Sequence, residues 1–461
     1  MGEPFLRAHY VAPRVFNISG KLTPVSLKDQ MIRARLFVDR AVEGAEISSA
    51  PDRGLLIIGG GACGITAAIR AAQLGVTATV LERSPRLFGL QAGCATRWLD
   101  PSQYDWPLDH WTQGYFPWAG ATMPLYFLSD WANRLAHLWR LHLHAASVAF
   151  GTLLRVHVGA HLVAPAPFFH SPGAATVDVK YVNAAGMQID TFGAVLVTTG
   201  FGSENTKVGS TFRGFAFWET DPFASANLAL PSGVTPRVLI SGAGDGALQD
   251  FLRISTGRNS AREVFDACAI PQTIAAALKD IERRTACSYH WGEHAGHDHA
   301  LHMELEREHG AQVAVALSDP GVRSNLRVLL AGMPDLKLVH TCEHLTPFYA
   351  LNRFLVLLIA RYVERTTGTS IIEQQTAVTA VSAASSPHVC ALSPSLCHGE
   401  DHDVELSDWN YCADNSAGSP KAREQFNVVV VRHGIAAGVP AFAALTPIAQ
   451  PRQVLPYYLL A

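Results

Sequence analysis

Twice the chain runs from an apolar strand through a glycine turn into a helix: GLLIIGGGACGITAAIRAAQLGVTATVLE at 54–82 and RVLISGAGDGALQDF at 237–251. No other feature constrains the fold as much, because strand, glycine turn and helix in that order require a parallel sheet covered by helices. In the first stretch Gly59 permits the tight turn and Gly61 lets a pyrophosphate approach the backbone beside Ala62 and Cys63. Gly64 lets helix and strand pack closely. The helix N-terminus offers free N–H groups and a positive dipole end to phosphate. Glu82 ends the next strand, where a carboxylate meets ribose hydroxyls, and Arg83 follows it. In the second stretch Gly242, Gly244 and Ala247, with Asp245 and Gly246 between them, give the G-x-G-x-x-A form. If Asp266 ends the strand after it, that carboxylate takes the ribose role and favours NADH. Arg258 and Arg262 are the alternative, as receivers of a 2′-phosphate. A unit that packs in this way and binds no nucleotide is the competing reading of the second turn.

At 461 residues the chain exceeds one compact core. Hydrophobic residues at 48% and charged residues at 16% suit a large buried interior. A net charge of -3 gives no reason to expect a nucleic-acid partner. The densest apolar run, FLVLLIA at 354–360, is far shorter than the roughly 18 to 20 residues of a membrane span. The N-terminus lacks the charged-then-apolar order of a signal peptide. Eight cysteines without a C-x-x-C do not suggest a disulfide scaffold. A cytoplasmic protein acting on a small molecule, with no membrane partner, is expected, and the composition permits a homodimer.

The expected organisation is a helical extension over 1–52 and the first part of one nucleotide-binding domain over 53–210. A second such domain follows over 211–345, and 346–461 returns to the first, with a surface insertion at 385–423. VLVTTG (195–200) and VVVVRHG (428–434) are the strands expected to close the first domain. In this order the chain resembles the two-dinucleotide-binding-domain flavoproteins over about residues 50–440, nearest to class B flavin monooxygenase-like proteins. The resemblance implies an α/β fold, a Rossmann-like FAD-binding domain with an inserted Rossmann-like NAD(P)-binding domain. It places FAD on the first turn, with Thr199, Gly200 and His433 also at the cofactor, and NAD(P)H on the second. The chain departs from the family pattern in having RHG for ATG and in lacking a late glycine-aspartate motif.

Three activities are compatible with that framework. The leading one is a monooxygenase of a small organic substrate reduced by NAD(P)H. The second is an amine or amino-acid oxidase whose second turn is degenerate. The third is a flavin-bound sensor or scaffold. FRGFAFWETDPF (212–223) partly matches the F-x-G-x-x-x-H segment of N-hydroxylating and Baeyer–Villiger enzymes, with Trp218 in place of histidine and Pro222 in place of the later aromatic. The aromatic stretch 97–118 offers Arg97, Tyr104, Asp105 and His110 as polar contacts. Arg97 or Arg353 is a candidate carboxylate clamp. His344 and Asn352 flank a strand-to-helix turn, where α/β ligand crevices form. Disulfide reduction is disfavoured because Cys94 has no nearby partner and Cys63 lies in the phosphate turn. His290, His294, His297, His299 and His302 crowd one segment, read as a solvated loop within 290–309 and assigned no metal. Cys390, Cys397, His398, His402 and Cys412 fit no standard metal spacing.

Overall fold

The computed structural model describes residues 4–19, 26–107, 115–116, 123–164, 167–169, 173–200, 202–210, 212–219, 235–291, 299–345, 349–383, 402–410 and 416–435. A short helix at Pro4–His9 opens the described chain, followed by β1 (Tyr10–Ala12), β2 (Val15–Asn17) and helix α1 (Leu27–Glu43). Ser26 starts α1 through a capping box: its Oγ accepts from Asp29 N at 3.0 Å and Asp29 Oδ2 accepts from Ser26 N at 3.0 Å. Then come β3 (Leu55–Ile58), α2 (Ala62–Gln73), β4 (Ala78–Glu82), α3 (Ala132–Phe150) and β5 (Leu154–Val158). A hairpin of β6 (Val177–Asn183) and β7 (Gly186–Phe192) leads into β8 (Ala194–Val197).

These strands form a six-stranded sheet in the order β1-β2-β8-β3-β4-β5, parallel except at the β1–β2 edge. One face is covered by the three helices, whose small and apolar residues interlock, Met31, Phe37, Ala67, Ala71 and Trp139 among them. The other face meets the antiparallel hairpin through Leu56, Ile58, Val195, Val177 and Val179. The N-terminal stretch, expected to contribute one helix, thus also supplies the two strands beyond β8. Parallel pairing of Val15–Asn17 with Val195–Val197 builds them into the sheet.

The second unit begins with β9 (Arg237–Ser241) and α4 (Asp245–Thr256). Helices α5 (Ala261–Cys268), α6 (Gln272–Trp291), α7 (His299–Ala316) and α8 (Pro320–Leu329) follow, then β10 (Asp335–Val339), α9 (Ala350–Thr367) and β11 (Ile372–Glu373). An antiparallel set of β12 (Thr376–Ala383), β13 (His402–Asn410) and β14 (Ser416–Phe426) precedes β15 (Val428–Val431). The parallel sheet runs β11-β10-β9-β15. Its helical face buries Phe251, Leu252, Leu351, Phe354 and Leu355, and its other face packs on the antiparallel set through Leu239, Val429, Val378 and Leu406.

Two expectations change here. VVVV at 428–431 does not return to the first sheet: Val428–Val431 pair with Val238–Ser241 of the second. Much of the polar stretch 385–423 is not a surface insertion either, because Val404 and Leu406 of β13 lie in the core beneath the second sheet. The two units share one plan. The order β5-β4-β3-β8 of the first recurs as β11-β10-β9-β15 in the second, each with an antiparallel set just before its last strand. Among the described residues no helix is long and apolar enough to cross a membrane.

Candidate functional site

The first turn is built by collisions that only glycine avoids. Gly59 sits at φ 115°, and a Cβ there would lie 2.6 Å from Thr198 O. A Cβ on Gly64 would run into Gly59 O, so helix α2 rests directly on the turn. Thr198, which the sequence reading passed over, braces the same spot: its Oγ1 donates to Ile58 O and Gly59 O, both at 3.0 Å. Around the Cβ position of Gly61, by contrast, none of the described residues comes within 4 Å. Gly61 caps α2 without any side-chain hydrogen bond, so the helix N-terminus faces that space unserved. Glu82, at the end of β4, accepts from Gly60 N through Oε2 and from Ser84 N through Oε1, both at 2.6 Å. Each oxygen keeps a lone pair for a ribose hydroxyl. Arg83 is exposed beside it, and Thr199 and Gly200 follow β8 at the same edge of the sheet. Ala62 is buried, and Cys63 Sγ donates to Gln30 O at 3.5 Å. Burial pushes the Cys63 thiol up to about 12, which leaves it unreactive.

The second turn repeats this geometry. Gly242 has φ 138°, and a Cβ on it would collide with Arg432 O, as one on Gly59 would with Thr198 O. Gly242 N donates to Val339 O at 2.9 Å and Gly59 N to Leu81 O at 2.8 Å. Arg432 N donates to Ser241 O and Thr198 N to Ile58 O, each at 2.8 Å. Gly244 is an exposed N-cap with open space at its Cβ position and no side-chain cap. Gly246 fits against Phe217 and Ala247 is fully buried. Asp245 opens α4, and its Oδ1 accepts from Asn352 Nδ2 at 3.1 Å. His433, after β15, is exposed, with Nε2 2.7 Å from Ser241 Oγ. It therefore stands beside the second turn, not beside the first.

Asp266 does not end a strand. It lies on helix α5, whose N-terminus Ser260 caps by accepting from Glu263 N at 3.2 Å. The strand paired with β9 is β10, far later in the chain, and the residue after it is His340.

Other candidates gather at the junction of the two units. Arg97 is buried, pairs with Asp250 of α4 and donates through Nε to Phe217 O at 2.8 Å. Arg432 reaches the same carboxylate from the end of β15, Nε to Oδ2 at 2.9 Å. The aromatics of the 212–218 segment stack on these cations: Phe217 on Arg97 at 4.1 Å and Phe215 on Arg432 at 4.8 Å. Arg97 thus clamps a carboxylate that belongs to the chain itself. Arg353 is likewise committed, to Glu282 and to His309 at 2.9 Å. Tyr104 packs on Tyr349, ring centroids 4.8 Å apart, and Asp105 pairs with Lys28. Tyr349 Oη donates to Asp29 Oδ2 at 3.5 Å. These groups join the start of α1 to the start of α9, next to Asn352. His344 pairs with His302, ring centroids 4.3 Å apart, on the other side of the β10–α9 connection. His110, Pro222, Cys390, Cys397, His398 and Cys412 lie outside the described residues, as do the side chains of His290, His294, His297, His299 and His402.

Comparison with known proteins agrees with the first turn. Residues 57–123 match the model of an NAD(P)-binding Rossmann-like domain. No curated protein matches the sequence. Similar solved structures include bacillithiol disulfide reductase from Staphylococcus aureus, 10% identical over 83% of this chain and 76% of that one, TM-score 0.40. Ornithine N-hydroxylase from Kutzneria sp. 744 is 13% identical over 83% of this chain and 81% of that one, TM-score 0.35. Thioredoxin reductase from T. acidophilum is 13% identical over 84% and 78%, TM-score 0.33. The fold is α/β, with two Rossmann-like units of the same strand order. Each of its Rossmann-like units carries its own glycine turn.

Proposed function

We propose that this protein is an FAD-dependent oxidoreductase reduced by NAD(P)H, and that it acts as a monooxygenase of a small organic substrate. The observation that carries this reading is the pair of uncapped helix N-termini, at Gly61 and Gly244, each over open space in a unit of the same strand order. The first, with Glu82 at the ribose position, suits the ADP half of FAD. The second suits the nicotinamide dinucleotide. Flavin held on the first turn would supply hydride acceptance and electron transfer to oxygen, and the protein would supply position and electrostatics.

The chain's own groups argue against dithiol chemistry. Cys94 is buried, with Sγ 3.6 Å from Glu219 O, and Cys63 is held protonated in the phosphate turn. The Cys63 thiol therefore offers no thiolate. The Tyr104, Tyr349 and Asn352 side chains between the starts of α1, α4 and α9 are the groups best placed to wall a substrate off from water. Anaerobic stopped-flow tests the reading. Reduction of the protein-bound flavin by NADH or NADPH is expected, with reoxidation coupled to substrate once oxygen is admitted. Flavin that stays oxidised with both donors but is reduced by an amine would establish the oxidase instead. Purification without flavin would overturn the proposal entirely.

A further inference from the structure

After Glu82 the chain crosses the first turn and rests on it. A Cβ on Gly60 would collide with Leu87 Cδ2 and lie 2.9 Å from Glu82 Cβ. Gly60 N donates to Glu82 Oε2 at 2.6 Å, and Gly60 O accepts from Phe88 N at 3.0 Å. Both polar groups of this glycine are thus fixed by the crossing segment. In a trans peptide the C=O and the next N–H point in opposite directions. Anchoring Gly60 O on Phe88 therefore turns Gly61 N–H away from that segment. Gly61 N–H belongs to the helix start that lacks intrahelical acceptors.

Phe88 makes its bond from an unfavourable conformation. Its backbone is left-handed, φ 55° and ψ 39°, an outlier for a bulky side chain. Five described residues other than glycine have positive φ; four are half-buried or exposed, and Phe88 alone is buried, 1% exposed. The reversal sends its N–H to Gly60 while its carbonyl accepts from Ala92 N at 2.9 Å, starting the one-turn helix Gly89–Ala92. Packing holds it there. The Phe88 ring lies 5.6 Å from Trp139 of α3, in the core between the first sheet and its helices. Arg140, next on α3, donates through Nη2 to Leu87 O at 3.0 Å. Backbone strain persists only where the surroundings over-determine it, and it collects at ligand clamps.

We propose that Phe88 is a positioning residue for the cofactor: its strained backbone, anchored on α3, holds Gly60, and with it Gly61 N–H and Glu82, in the geometry that a dinucleotide on the first turn requires. This rests on the FAD reading of that turn given above. Freed from Trp139, Phe88 relaxes to right-handed backbone, its N–H leaves Gly60 O, and the Gly60–Gly61 peptide is free to rotate.

Release of FAD from the full-length holoprotein, followed by the flavin fluorescence that appears on dilution, tests this. Phe88→Ala keeps the strain and loses the anchor, and is expected to speed release roughly tenfold or more. Phe88→Gly also loses the anchor but takes left-handed backbone without strain, so it should speed release only about threefold. Packing alone gives the opposite order, because glycine is smaller and more flexible than alanine. Phe88→Leu, which refills the core, should stay within about twofold of wild type. Far-UV circular dichroism establishes which variants are folded. Should Phe88→Ala not fold, Leu87→Ala, which uncovers Gly60 from a half-buried position, takes its place and should speed release several-fold. Wild-type release from folded Phe88→Ala, or from Leu87→Ala in its place, would overturn the proposal. So would Phe88→Gly that releases FAD as fast as Phe88→Ala. A wild type that neither carries nor binds FAD would overturn the reading of the first turn, and this inference with it.

Discussion

Replacing Asp250 by asparagine removes one negative charge from a site where three guanidinium groups converge. Asp250 is fully buried, while the Arg97 and Arg432 side chains are 2% and 5% exposed. Four hydrogen bonds end on this carboxylate: two from Arg97, one from Arg253 at 3.3 Å and one from Arg432 at 2.9 Å. Burial alone would push the carboxyl up, but Arg97 and Arg432 hold it well below the usual carboxylate range. Asparagine keeps one acceptor and turns an NH2 toward N–H donors, so at least two of those bonds become donor-to-donor contacts. Removing one partner of a buried ion pair costs about 3 to 5 kcal/mol, because the remaining charge stays desolvated. Since two deeply buried cations lose their counter-charge, a loss of about 4 kcal/mol is expected. Urea unfolding followed by tryptophan fluorescence reads it, and far-UV circular dichroism confirms that the variant is folded. In a double-mutant cycle, Asp250→Asn with Arg432→Met should couple near the top of the usual range of about 0.5 to 3 kcal/mol. A single-variant loss below about 1 kcal/mol, or no coupling, would show that the network does not join the units as argued.

The two glycines of the first turn separate binding from folding. Gly61→Ala meets nothing among the described residues, so it should fold normally and purify with little flavin absorbance. Gly64→Ala, whose Cβ has no room against Gly59 and Thr198, should lower the melting temperature with or without added FAD. At the second turn, Asp245→Asn removes a negative charge from the helix N-terminus that a pyrophosphate needs. It should tighten NADP+ binding several-fold in calorimetry while costing α4 roughly 0.3 to 1 kcal/mol. Buried histidines set the acid response. Burial pushes His9 down to about 3, and His309 and His340 to about 4, from an ordinary 6.5. Unfolded chains therefore bind more protons below pH 6.5, and stability is lost as pH falls from there toward 4. Each imidazole contributes up to about 1.4 kcal/mol per pH unit. Urea midpoints measured down the pH scale should show this slope, and His309→Gln should remove one share of it.

What could be read from the sequence was whatever the chain writes locally. Strand, glycine turn, helix, strand and carboxylate all fall within 54–82, so the first turn and Glu82 needed no knowledge of distant contacts. The second turn was equally plain, but its partner strand was not. Asp266 invited the ribose role because Val264 and Phe265 precede it, yet Ser260 and Glu263 spell a helix start three residues apart. Val264, Phe265 and Cys268 then share one buried helical face. LKLVH at 336–340 reads as a strand, and only the pairing of Arg237–Ser241 with Asp335–Val339 shows that it does for β9 what β4 does for β3. VVVV at 428–431 fits the edge of either sheet; a run of four β-branched residues carries no address. Arg97 looked like a free cation because its counter-ion, Asp250, is 153 residues away.

The two turns share a steric plan and differ in their side-chain chemistry. Where the geometry is steric, the two agree closely: both first glycines have positive φ and lie against the residue that follows the last strand, Thr198 or Arg432. Where the geometry is chemical they diverge. Glu82 gives way to His340, Ala62 to Asp245, and the hydroxyl brace of Thr198 to the guanidinium of Arg432. The steric features are what a parallel strand, a tight turn and a helix need in order to pack, and they would persist in a turn that bound nothing. The divergent ones are not demanded by packing. The imidazole at the end of β10 is buried, and Asp245 at the start of α4 accepts from Asn352 Nδ2 at 3.1 Å. The difference between the two turns lies in three side chains, not in the shape of the fold.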